Sequence, residues 1–222
     1  METLKNLTKK QKINAITLGL VAFVVLPLFT AVILSLANPI THSITELSFR
    51  MGYRAVCTVW GAFVAVYTTY TVLMVLRSAG YRLGVRIFFY LLLALAVGTL
   101  IMTGSISDNA DVVGEKLAHT HNVVAIVTFV SHFVLLGLMV IASFFRNRVQ
   151  GTINAVYAFF FFLTVAFLHF YVTDSETFEL LHAATAINEG ASFCLLSIFF
   201  YLHYVENLLL APTGKTKFLA GK

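Results

Sequence analysis

The sequence predicts an all-α, polytopic membrane protein with six transmembrane helices and both termini in the cytosol. Three observations carry that reading. The first is composition: of 222 residues 59% are apolar and 11% charged, with a mean hydropathy of +0.88. Soluble domains carry about 25% charged residues, so this chain has too little charge to clothe a water-facing surface. The second is the length of its apolar runs, which reach the roughly 20 residues that a helix needs to cross a bilayer and lack the alternation of barrel strands. The third is that basic residues gather in alternate connections. Gly, Pro and Cys are too scarce for a collagen-like or disulfide-rich secreted chain.

Residues 1–13 form an amino tail, 14–207 a single six-helix domain and 208–222 a carboxyl tail. The first span, about 14–37, follows a polar, basic tail and is too long for a cleaved signal, so it reads as a retained anchor. The second (55–76) and third (85–104) flank a connection holding Arg77, Arg82 and Arg86. The fourth (117–144) and fifth (152–172) flank Arg146 and Arg148, and the sixth covers 178–205. The first, fourth and last runs exceed the minimum and imply tilt or projection. Twelve of the fifteen basic residues fall in the tails and these two connections; Arg50, Arg54 and Lys116 do not. Seven acids, Glu46, Asp108, Asp111, Glu115, Asp174, Glu176 and Glu179, fall on the other side. The positive-inside rule then places both tails in the cytosol. The net charge of +5 is therefore topological and implies no nucleic-acid partner. Asn6-Leu7-Thr8 fits a glycosylation pattern on the wrong side of the membrane.

Charge inside hydrocarbon costs at least about 2.5–3.5 kcal/mol, which makes buried ionisable residues functional suspects. The last span holds His182, Asn188, Glu189 and Ser192. Glu189 lies ten residues past Glu179, about 15 Å in at 1.5 Å per residue. His182 and Glu189 are two turns apart on one face, Ser192 continues it, and Ala183, Ala186 and Gly190 allow close helix approach. Glu189 reads as a proton or cation site, a headgroup contact, or a protonated structural acid. In the fourth span His121, Thr128 and His132 form one stripe beside Asn122. A His132–Glu189 hydrogen bond is one expectation; local bonds from each to nearby backbone are the other. His119, His121, His169 and His182 form a loose lumenal collar. His203 and Glu206, at the far end of the last span, are expected to be solvated, and Cys57 and Cys194 to be small packing residues. Histidines at i, i+4 are lacking, and only His132 is deep, so neither zinc nor haem is expected. No catalytic motif, cofactor or repeat is evident. The aromatic wealth, including Phe159–Phe162, reads as lipid-facing packing.

The string His182-x-x-x-Ala186-Ile187-x-Glu189, then Phe193, Phe199-Phe200-Tyr201-Leu202 and the Glu206-Asn207 exit, resembles the damage-regulated autophagy modulator (DRAM) family. Its wider group includes six-span proteins of GPI-anchor lipid remodelling and of phosphatidylinositol 4-kinase support. His121-Asn122-Val123-Val124-Ala125 and Asn38-Pro39 extend the likeness. Two features depart from it: Gly190 stands where the family carries an aromatic residue, and the first lumenal connection lacks a Ser/Pro-rich stretch. The resemblance implies a six-span, non-enzymatic regulator of autophagy on lysosomal or other endomembranes. It leaves open GPI-anchor lipid remodelling or a phosphoinositide-linked adaptor in the Golgi or plasma membrane. A small proton- or ion-coupled transporter built on Glu189 and His132 is the third reading. Membrane lipids, and membrane proteins with them, are the expected partners.

Overall fold

The computed structural model describes residues 7–168 and 185–210. It contains six helices long and apolar enough to cross a membrane, and no strand among the described residues. The spans are α1 (Lys9–Leu34), α3 (Arg54–Ala79), α4 (Leu83–Ser105), α6 (Glu115–Arg146), α7 (Arg148–Phe167) and α8 (Ala186–Leu209). Two short helices, α2 (Ile44–Phe49) and α5 (Ala110–Val113), lie in connections. The protein is thus an all-α, multi-pass membrane protein. Most predicted boundaries agree within a few residues. The last does not: the sequence suggests a start near 178, whereas Thr185 is extended (φ −79°, ψ 156°) and the described helix begins at Ala186.

Local chemistry explains the element ends. Thr8 opens α1 with a capping box to Gln11, and Ser43 opens α2 with another to Glu46. Gly80, at φ 70°, closes α3 in the left-handed conformation that glycine adopts without strain. Pro27 has no N–H for the Phe23 carbonyl, and its ring would press on it. The helix accommodates this with a π-helical turn at Val21–Val25. At 32 residues, α6 is about 48 Å long, more than the roughly 30 Å of hydrocarbon, so it projects or tilts.

In the packing, α3, α4, α6, α7 and α8 each contact the next, and α8 returns to α3, closing a ring. α1 lies outside it, against α8 and α3. Gly19 of α1 backs onto Tyr201 while Gly190 backs onto Thr30, so α1 and α8 run antiparallel. The start of α1 and the end of α8 therefore share one end of the bundle, here the tail end. The run Phe159–Phe162 divides by face: Phe161 is 2% exposed and packs on Phe133, whereas Phe159 is 64% exposed.

Candidate functional site

At the far end, opposite the tails, the first connection clamps the start of α8. The Ala186 N–H donates to the His42 carbonyl (2.7 Å) and the Ile187 N–H to that of Pro39 (3.1 Å). Two of the N–H groups that a helix start leaves unpaired are thereby satisfied, which is why the helix begins there. Glu189 consequently sits in the first turn, not midway down a span as the sequence suggests. Its Oε2 accepts a 2.7 Å hydrogen bond from the N–H of Ile44, the first residue of α2. From the first turn of α8, the carboxyl group thus caps the first N–H of α2 and ties the two helix starts together. Gly190 makes the clamp possible: a Cβ there would lie 2.7 Å from Thr30 Cγ2. Thr30 in turn accepts from Trp60 Nε1 (2.9 Å) and Cys194 Sγ (3.3 Å).

Beside the clamp is a cavity of about 150 Å³ between α2, α3, α4, α6 and α8. Glu189, Thr45, Ser48 and Thr103 supply its polar wall, and Phe49, Trp60, Phe129 and Phe193 its aromatic wall. Phe193 centres the aromatic group, with its ring 5.9 Å from Trp60 and 5.8 Å from Phe129. Thr58, Ala62, Ile101, Gly104 and Ser105 line the cavity and are also exposed. The cavity therefore opens sideways between α3 and α4, through a face that meets lipid in a bilayer. Above it, Arg50 bridges Glu46 (3.2 Å) and Asp108 (3.3 Å), and His42 lies 3.4 Å from Glu46.

The fourth-span residues follow the predicted stripe: His121, Thr128 and His132 are all buried, with Asn122 half-buried at their flank. His121 Nδ1 is 2.8 Å from the Ile106 carbonyl, and its Nε2 is 3.5 Å from Thr45 Oγ1. His132 bonds the Thr128 carbonyl (2.7 Å) and stands edge-on to Phe193. It does not meet Glu189, so of the two expectations the local bond is the one His132 makes. Asn188 and Ser192 are buried on α8. His182 and His169, two members of the expected collar, lie outside the described residues. Among the described residues no group of three His, Cys, Asp or Glu side chains is placed to hold a metal ion.

A second polar cluster, unanticipated from the sequence, occupies the tail end. His203 is fully buried rather than solvated, with Nδ1 3.3 Å from Asn154 Nδ2. Glu206 is half-buried beside it and faces Asn154, Gln150 and Arg146. The expectation of solvent fails for His203, and in part for Glu206, because α7 packs on α8 through this end. Arg146 donates to Gln150 Oε1 (2.7 Å) and to the Asn207 carbonyl (3.1 Å). Gln150 donates to Asn207 Oδ1 (2.8 Å), and Asn207 donates to the Val75 carbonyl (3.3 Å). Tyr81, in the connection before α4, is buried against Phe89; burial pushes its hydroxyl pKa up to about 12, partly offset by the Arg146 charge. A signal for this cluster exists in the sequence: Gln150 and Asn154, and His203 and Asn207, are each four apart, which is one helical face.

Compared with family models, curated proteins and solved structures, the chain matches none.

Proposed function

We propose that the protein is a multi-pass membrane regulator that engages a membrane lipid through the far-end cavity. The observation that carries this is the cavity's sideways opening between α3 and α4, next to a carboxylate and an aromatic wall. Small-molecule sites are usually mostly apolar with a few placed polar groups, and this one has that make-up. By the positive-inside rule the basic tail end faces the cytosol, which puts the cavity in the opposite leaflet. The resemblance to the DRAM family supports a regulatory role on lysosomal or other endomembranes, and a lipid pocket fits its lipid-remodelling relatives equally. The transport reading loses the His132–Glu189 contact on which it rested.

The test is photolabelling in nanodiscs with a lipid carrying a diazirine in its acyl chain, mapped by mass spectrometry. Label is expected on the Ile101–Ser105 stretch. A Cβ at Gly61 or Gly104 meets nothing within 4 Å, so a side chain can start at either position, and Gly61→Leu and Gly104→Leu are the variants that crowd the cavity wall. Each is expected to cut labelling several-fold at unchanged melting temperature. Uniform labelling over every lipid-facing helix, indifferent to these variants, would sink the proposal. In null cells, restoration of starvation-induced autophagic flux by wild type but not by Gly104→Leu is the expected cellular counterpart.

A further inference from the structure

We infer that the cavity selects an amphiphile whose head is a protonated amine, such as a long-chain amine or 2-amino alcohol. This rests on the lipid-pocket reading above and adds the chemistry of the occupant.

Glu189 carries the argument. Its Oε2 is held by one backbone N–H, Oε1 makes no hydrogen bond among the described residues, and the side chain lines the cavity. Among the described residues no cation pairs with it: Arg50 is engaged by Glu46 and Asp108, and Arg54 stacks on Phe49, its Cζ 5.1 Å from the ring centre. His42 is drawn to Glu46, and His121 to Thr45 and the Ile106 carbonyl. Glu46 and Asp108 share the one cation Arg50, which leaves net negative charge beside Glu189. A carboxylate at an apolar wall gains from a cation brought to it, because buried charges are stable when paired. The aromatic wall adds to this. Phe193 stands one turn after Glu189 on α8, with Trp60 and Phe129 against it, and aromatic faces attract ammonium groups within about 6 Å.

Size and sign weigh against bulky and anionic heads. At about 150 Å³ the cavity is smaller than the roughly 300–1,000 Å³ of a drug-sized site. It takes a small head and the first carbons, leaving the chain to run out through the opening into the bilayer. A phosphate-bearing head would set its own negative charge against Glu189, Glu46 and Asp108. A neutral alcohol satisfies Oε1 with a weaker bond, since charge-assisted hydrogen bonds are roughly twice as strong as neutral ones.

The experiment compares diazirine-bearing octadecylamine with diazirine-bearing octadecanol, at pH 7, on the full chain in phosphatidylcholine nanodiscs. Labelling of the Ile101–Ser105 stretch by the amine is expected at about one-tenth the concentration the alcohol needs. Glu189→Gln, whose Oε1 can still accept from Ile44, is expected to abolish that preference while both probes continue to label. Gly104→Leu is expected to weaken both. Equal labelling by the two probes in wild type, or a preference that survives Glu189→Gln, overturns the amine assignment and leaves the lipid pocket standing. Wild-type protein that neither probe labels at the cavity overturns both. The wild-type comparison needs no variant, so it decides even where Glu189→Gln fails to fold.

Discussion

At the scale of single residues, the far-end clamp depends on what Gly190 lacks. An alanine there would place its Cβ 2.7 Å from Thr30 Cγ2, well inside contact distance. Thr30 cannot simply swing aside, because its hydroxyl holds Trp60 and Cys194. Gly190→Ala is expected to cost about 1–3 kcal/mol, the usual range for overpacking, seen as a lower melting temperature of the detergent-solubilised protein. Thr30→Ser removes the offending methyl and keeps the hydroxyl, so the double variant is expected to recover most of the loss. Simple additivity of the two would show that the contact is not what limits the helices. The same residues mark what a sequence can disclose. Glu189 is legible as a carboxylate in an apolar stretch, and Gly190 as a small neighbour. The Ile44 N–H that Glu189 binds lies 145 positions away, and a backbone donor has no signature in residue type. The cavity follows from that unseen pairing, so it was not legible either.

Among the elements, α6 and α7 meet in a one-residue hairpin. Only Asn147 separates Arg146 from Arg148, and its side chain caps the Val149 and Gln150 N–H groups at 2.9 and 3.3 Å. A Cβ on Gly151 would run into the Phe144 ring and lie 2.7 Å from Phe144 Cα. A ring can rotate away but a backbone atom cannot, so Gly151→Ala is expected to cost about 3 kcal/mol or more, exceeding Gly190→Ala in the same melting assay. An equal or smaller effect would mean that the hairpin reopens cheaply. Hydropathy located both helices, since long apolar runs leave few alternatives in lipid. It could not locate their ends, which are set by caps and by partners elsewhere in the chain. The start of α8 is the clearest instance, placed by the carbonyls of Pro39 and His42. The π-helical turn near Pro27 is another: proline signals a disturbance, but which backbone groups absorb it depends on packing.

For the whole molecule, Arg146 and Arg148 contribute alike to the positive-inside count, and from the sequence they are interchangeable. In the fold they separate. Arg148 is exposed, whereas Arg146 is 7% exposed and ties α6 to α7 through Gln150 and to α8 through the Asn207 carbonyl. Asn207 carries the connection on to α3 through the Val75 carbonyl, so four of the five ring helices meet at this cluster. Removing the guanidinium leaves Gln150 Oε1 and the Asn207 carbonyl buried without that donor, and lost hydrogen bonds to charged groups cost about 1.5–3 kcal/mol. Arg146→Met keeps the apolar stem, so little packing is lost with the charge. It is expected to lower stability by that amount and to speed hydrogen exchange at the tail ends of α7 and α8 together. Arg148→Met removes the same topological charge from the same connection and is expected to stay within about 0.5 kcal/mol, as surface changes do. Matching effects from the two variants would assign Arg146 to topology alone. A loss confined to Arg146→Met, with exchange rising across both helices, assigns it to holding the ring closed at the end opposite the cavity.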